Sequence, residues 1–249
     1  MVLPTFGGEP MANARQIPWR RILVEGAVIV VSILLAFSID AWWTNRIEQQ
    51  REREQLVSMR AEFQAGLLGL DEVLTSVQGH AENVESFIAL LKAAGDEPAL
   101  IPGPLLGSAI TWRTSDVSTS TLDALMASGD LNLLRNVELR ANLAGLPAFL
   151  LDVTEDEIIA QNFAETEMSI FLAREGLAEI AYVHRPGVQG HDDIQGLSAP
   201  SEISVLSSPE LIGFLTARRV HFWYSEVGLP EVRSYLQMLI EQIDNELTP

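Results

Sequence analysis

Residues 22–43, ILVEGAVIVVSILLAFSIDAWW, form the most apolar tract of the chain. As a helix rising about 1.5 Å per residue, the tract covers roughly 33 Å, close to the thickness of a bilayer's hydrocarbon core. Arg20 and Arg21 precede it and Arg46 follows it. Trp19 stands at one end and Trp42–Trp43 at the other, where amphipathic rings favour the membrane–water interface. The tract predicts a transmembrane helix over residues 19–43. Two other readings stay open. Ala36-Phe37-Ser38 has the small residues of a signal-peptide cleavage site, and a run of this kind also occurs as a buried core helix.

Glu25 and Asp40 interrupt the tract, each about a turn from one of its edges, where a carboxylate costs far less than at the bilayer centre. At 100° per residue, Glu25, Ser32, Ala36, Asp40 and Trp43 fall on one side of the helix. Val28, Val31, Leu34 and Leu35 lie elsewhere. Small residues let helices approach closely in lipid, and polar ones bond across the contact. These five residues are therefore a candidate contact face for a second copy or another membrane protein. The plainer reading is two interfacial acids facing water. A proton relay is disfavoured, because nothing ionisable lies between the two acids.

Charge divides the chain. The net charge is −18, yet residues 1–60 carry +1 and the remainder −19. So acidic a body repels phosphate backbones, which disfavours nucleic-acid binding. The absence of cysteine excludes disulfides, thiolate metal sites and cysteine nucleophiles.

Residues 1–18, with Gly7-Gly8 and three prolines, read as a flexible tail. Beyond the tract, Leu56, Phe63, Leu70, Val77, Val84 and Leu91 recur every seven residues, with Leu67, Leu74, Ala81 and Ile88 between them. This heptad pattern predicts a long helix over residues 44–94. It is expected to pack against helices of its own chain, with a coiled-coil dimer as the alternative. Glycines and prolines in residues 93–104 end it. Ser120 with Asp123 resembles a capping box opening a short helix that Gly129 closes. Asn136 is placed to cap a long helix from about Val137 to Glu175, kinked at Pro147, whose buried stripe runs Leu139, Leu143, Leu146, Leu150, Val153, Glu157, Ala160 and Ala164. Residues 183–202 read as a loop. Ser208-Pro209-Glu210 marks a helix start, and Gly228–Pro230 a last break before a final helix carrying Val232, Leu236, Leu239, Ile243 and Leu247. Strand signals are nearly absent; Ile203–Leu206 is too short to weigh. The expected fold is all-α: an N-terminal transmembrane helix continuing into a long helix, with residues 95–249 completing an extramembrane helical bundle.

Two tracts together resemble a family. Glu25, then Ser32-Ile33-Leu34, Ala36, Ile39, Asp40 and Trp42, and separately LDALMASGDLNLLRNVELR at 122–140, are similar to the landmarks of a bacterial family of single-pass membrane proteins of unknown function. Ser32 stands where that family usually has Gly, and Asp40 where it has Asn. The resemblance implies a membrane-anchored helical protein and brings no catalytic residue with it. Three arginines precede the span closely (Arg15, Arg20, Arg21) and four follow (Arg46, Arg51, Arg53, Arg60), a near balance by the positive-inside rule. The expected placement is the bacterial inner membrane, with the N-terminus cytoplasmic and the acidic body periplasmic.

Chemistry is sparse. None of His80, His184, His191 and His221 pairs with another at helical spacing. His184, His191, Asp192 and Asp193 form a weak metal-ligand pattern within a loop, better read as a solvated loop. The acids of residues 154–167 read as a solvated face rather than a carboxylate metal site. Ser128-Gly129-Asp130 reads as a helix stop rather than a nucleophile. Arg218, His221 and Trp223, amid further aromatics, make a candidate partner surface, although a half-buried helix explains most of them. The sequence implies no cofactor, no metal and no enzyme. It predicts a structural or interaction protein whose partners are the lipid bilayer and another membrane helix, with a sensor or accessory subunit of a transport or secretion complex as the alternative.

Overall fold

The computed structural model describes residues 19–186 and 199–248. The expected N-terminal tail lies outside them, as does residues 187–198 of the expected loop. The chain divides into two compact units, one ending at Arg51 and the other beginning at Glu52. Among the described residues the fold is all-α apart from one pair of four-residue strands.

Helix α1 runs from Trp19 to Ala94 without a proline. In the second unit its heptad residues are the core: Leu56, Phe63, Leu70, Val77, Val84 and Leu91 are all buried, by the chain's own helices. The stripe thus needs no second copy to cover it. Gly95, at φ 62°, turns the chain out of the helix.

The next element is a strand that the sequence reading missed. Strand β1 (Ala99–Pro102) pairs antiparallel with β2 (Glu202–Val205), in the register Ala99 to Val205 and Pro102 to Glu202. Residues 202–205 are therefore ladder, not loop or helix. Four residues per strand are too few for an alternation signal, and the ribbon rests on Ile101 and Val205, both buried in the helical core. Helix α2 (Gly103–Ala109) follows directly, with Pro104 in its first turn.

Helix α3 (Ser120–Ser128) begins where expected, with a different cap. Thr119 is the N-cap, and no capping bond comes from its own side chain. Gly129 ends the helix in the left-handed conformation, φ 80°, as expected. A 3-10 turn (Asp130–Leu133) leads to Asn136, whose Oδ1 accepts hydrogen bonds from the backbone N–H groups of Glu138 and Leu139 at the start of α4 (Val137–Asn162). The chain then passes through a π-helical segment (Phe163–Met168) into α5 (Ser169–Arg174). Gly176, at φ 73°, closes this run near the expected limit. Of the expected stripe, Leu139, Leu143, Leu146, Val153, Glu157, Ala160 and Ala164 are buried, and Leu150 packs against the same core.

After the short α6 (Ala178–Val183) and β2, the last helix α7 starts at Pro209, with Ser208 Oγ accepting the Leu211 N–H at 3.1 Å. The break expected at Gly228–Pro230 does not occur: α7 runs from Pro209 to Leu247 straight through Pro230. An interior proline costs a helix about 3 kcal/mol. Here the flanking residues Leu229 and Val232 are fully buried, and a Cβ on Gly228 would already touch Val153 of α4 at 3.4 Å. Packing of α7 against α4 outweighs the local preference. Val232, Leu236, Leu239 and Ile243 are buried as expected, and Arg60–Asp244 and Arg233–Asp71 pairs join α1 to α7 at the surface.

Candidate functional site

Two regions stand out. The first is the N-terminal part of α1. Among the described residues this is the one helix long and apolar enough to cross a membrane: an 18-residue window reaches a mean hydropathy of 2.2, and none of it is buried. Glu25, Ser32, Ala36, Asp40 and Trp43 are all exposed. Ser32 Oγ donates to the Val28 carbonyl at 2.8 Å, and Ser38 Oγ to that of Leu34, also at 2.8 Å. These back-bonds satisfy both hydroxyls within the helix, as a serine in an apolar medium requires.

The second region is the irregular stretch between α2 and α3, sequence TWRTSDVST at 111–119. Its sequence shows no motif, only five hydroxyl residues set among Trp112, Arg113, Asp116 and Val117, yet four charged side chains from three helices and the π-helical segment fasten it. Arg218 of α7 donates to the Thr111 carbonyl through Nη2, and to the Ala160 carbonyl through Nη1 at 3.3 Å. Glu165 of the π-helical segment accepts the Trp112 indole N–H at 2.7 Å. Glu157 of α4, almost wholly buried, accepts the Ser115 backbone N–H at 3.0 Å. Burial pushes the Glu157 carboxyl above its usual range, against the pull of the Ser115 bond.

Glu62 of α1 holds the far end. Its carboxylate accepts the Ser120 backbone N–H at 2.6 Å, the Ser120 hydroxyl at 2.7 Å and the Thr121 N–H at 3.0 Å; the Ser118 hydroxyl also donates to it. A carboxylate from another helix thus supplies the cap that α3 lacks locally, with the added benefit of a negative charge at a helix N-terminus. Burial alone would raise this carboxyl, but the hydrogen bonds from Ser118, Ser120 and Thr121 outweigh it and hold the group at about 2. The folded-state value lies below the unfolded one. Its stabilisation is therefore full above about pH 4.5 and is lost as the pH falls towards 2. Glu62→Gln is expected to cost about 1–2 kcal/mol at pH 7, after discounting for solvent screening, and to flatten the acid limb of the stability profile. Thermal unfolding of both chains between pH 7 and pH 3 checks this: an unchanged acid limb in the variant would contradict it.

Arg218 corrects one expectation directly. Of the three residues read as a partner surface, only Trp223 is exposed; His221 is half-buried and Arg218 is 1% exposed. The Arg218 guanidinium stacks 4.0 Å over the ring of Phe222, one turn on, and its Nε has no partner among the described atoms. Burial first, and then the nearby charge of Arg185, lower its pKa to about 9, so it remains a cation at neutral pH. Among the described residues no carboxylate pairs with it.

His80 lies behind this loop. Ser108 Oγ gives its single hydrogen to the Pro104 carbonyl at 3.0 Å and accepts from Asn83 Nδ2 at 2.9 Å. His80 Nδ1, 3.2 Å from the same oxygen, is then the donor, and its Nε2 accepts from Ser76 Oγ at 3.1 Å. Burial, with the charges of Arg218 and Arg113, lowers the His80 pKa to about 4 and keeps the ring neutral. This serine–histidine pair is structural: Ser108 is fully buried and its proton is committed to a backbone carbonyl.

The other candidates do not converge. His184 Nε2 lies 3.0 Å from the Pro200 carbonyl, while His191, Asp192 and Asp193 lie outside the described residues. Glu157 and Glu165 are engaged by Ser115 and Trp112 respectively, and no group of three metal-ligating side chains occurs among the described residues. Glu62 and Arg185 escape sequence reasoning because each acts on a segment remote in the chain. Compared with protein-family models, curated proteins and solved structures, the chain matches none.

Proposed function

We propose that this chain is a membrane-anchored structural or interaction protein that assembles through its N-terminal helix. The observation carrying this reading is the apolar segment of α1, of which no part is covered by the protein itself. In water such a continuous apolar surface is an aggregation liability; in lipid it is the ordinary state of a spanning helix. The span is that of a bacterial inner-membrane protein, with the N-terminus in the cytoplasm and the acidic helical body in the periplasm. Glu25, Ser32, Ala36, Asp40 and Trp43 form the face that meets a second copy or another membrane protein. A second reading, a sensor or accessory subunit of a transport or secretion complex, is favoured by the cavity beside the 111–119 loop described below.

The chain has no cysteine, so single cysteines report the contact face cleanly. In membranes, a bifunctional thiol reagent is expected to give an adduct of higher mass with Ala36→Cys or Ser32→Cys, and little with Leu34→Cys on the opposite side. Equal labelling at all three positions without any adduct would contradict a specific contact face.

A further inference from the structure

The 111–119 loop and residues 185–186, just beyond α6, border a half-open cavity of about 230 Å³. Its walls include Val73, Trp112, Arg113, Asp116 and Arg185. The guanidinium of Arg185 stands 5.9 Å from the centre of the Trp112 ring, and neither Arg113 nor Arg185 has an ion-pair partner among the described residues. Behind the same wall sits Arg218, bonded to the carbonyl of Thr111, itself a lining residue. A chain of net charge −18 therefore gathers three of its sixteen basic side chains around one small hollow.

That arrangement is unfavourable for the protein alone. A buried guanidinium without a carboxylate is costly, and a second cation nearby adds to the cost. Backbone carbonyls satisfy two of the Arg218 nitrogens and leave Nε without a partner. Asp116 at the rim holds a left-handed backbone, φ 40°, the only non-glycine among the described residues to do so. Strain of that kind persists where its surroundings over-determine it.

We propose that this cavity binds a small oxyanion, a phosphate or carboxylate group, between Arg113 and Arg185, with the buried charge of Arg218 behind it. Two guanidinium forks suit an oxyanion bidentately. The volume lies below the roughly 300 Å³ at which drug-sized pockets begin, so the ligand is the anion with a few further atoms. Trp112 and Val73 give those atoms an apolar wall. Asp116, whose Oδ2 already accepts from Thr114 Oγ1 at 2.9 Å, repels a second anionic group and favours a hydroxyl donor at the other end. This inference is independent of how the chain is anchored.

Titration of the detergent-solubilised full chain with inorganic phosphate and with lactate, at ionic strength matched with chloride, tests it. Saturable binding of either probe is expected, and which of the two binds distinguishes phosphate from carboxylate recognition. Arg113→Gln and Arg185→Gln replace side chains that are exposed and half-buried, and each is expected to weaken binding by about tenfold or more. Trp112 lies in the wall, so binding to the unmodified chain should also change its fluorescence saturably, a change lost in Trp112→Phe. Absence of saturable binding of both probes up to about 10 mM, or unchanged affinity in the folded double arginine variant, would overturn the proposal.

Discussion

Gly107→Ala is expected to be among the most damaging single-methyl changes in this protein. A Cβ at Gly107 would meet the backbone carbonyl oxygen of His184 at 2.1 Å and the Arg185 nitrogen at 2.8 Å. Neither atom belongs to a side chain that can swing away, so α2 and the segment after α6 must separate. Gly103, four residues earlier on the same face, leaves room for the His184 ring in the same manner. The two glycines let these short elements touch backbone to backbone, and that contact places Arg185 beside the 111–119 loop. The expected loss is about 3 kcal/mol or more, a fall in melting temperature of roughly 10 °C for a chain of this size. Gly69→Ala is the matched control. Nothing lies within 4 Å of its would-be Cβ on α1, so the substitution should be neutral or stabilising by up to about 1 kcal/mol. Thermal unfolding of the two variants separates close approach from helix propensity; similar melting temperatures would contradict the packing argument.

Arg218→Ala is the second large effect. Truncation removes the donors to the Thr111 and Ala160 carbonyls and opens a cavity against Phe222. An orphaned Thr111 carbonyl, a lost bond to the Ala160 carbonyl (which keeps the Phe163 N–H) and lost packing together predict a cost of about 3–4 kcal/mol. Arg218→Met deletes the same buried cation and the same donors as the alanine variant but fills most of that volume. It is expected to be more stable than the alanine variant by about 1–2 kcal/mol. Denaturant unfolding of the pair checks the order. Equal stability would mean that the bulk of the side chain contributes little, and would contradict the packing part of the argument.

The elements legible in the sequence are those whose signal is local or periodic. The heptad from Leu56 to Leu91 is the buried face of α1, the stripe from Leu139 to Ala164 is the buried face of α4, and the caps at Asn136, Ser208 and Gly129 stand where residue chemistry demands them. Glu157 reads both as part of the buried stripe and as one of the solvated acids of residues 154–167; the structure corrects the second reading, because the side chain is buried where it holds the Ser115 N–H. Long-range partners decide what escaped. The helix runs on through the exposed Pro230 because Leu229 and Val232 beside it are held in the core and Gly228 lies against Val153 of α4, and β1 finds β2 a hundred residues away. Arg218 reads as a surface cation, yet two backbone carbonyls, one from the loop and one from α4, draw it inside. The cap of α3 comes from Glu62, some sixty residues upstream, whereas the capping-box reading looked only within the helix. No periodicity announces a carboxylate that caps a helix from across the bundle.

Anchoring is the claim on which the proposed function turns, and washing membranes at alkaline pH with carbonate tests it most directly. The full chain is expected to remain in the membrane pellet, with its N-terminal residues intact by mass spectrometry. Recovery of the chain in the supernatant, or of a product shortened after Ser38, would contradict it.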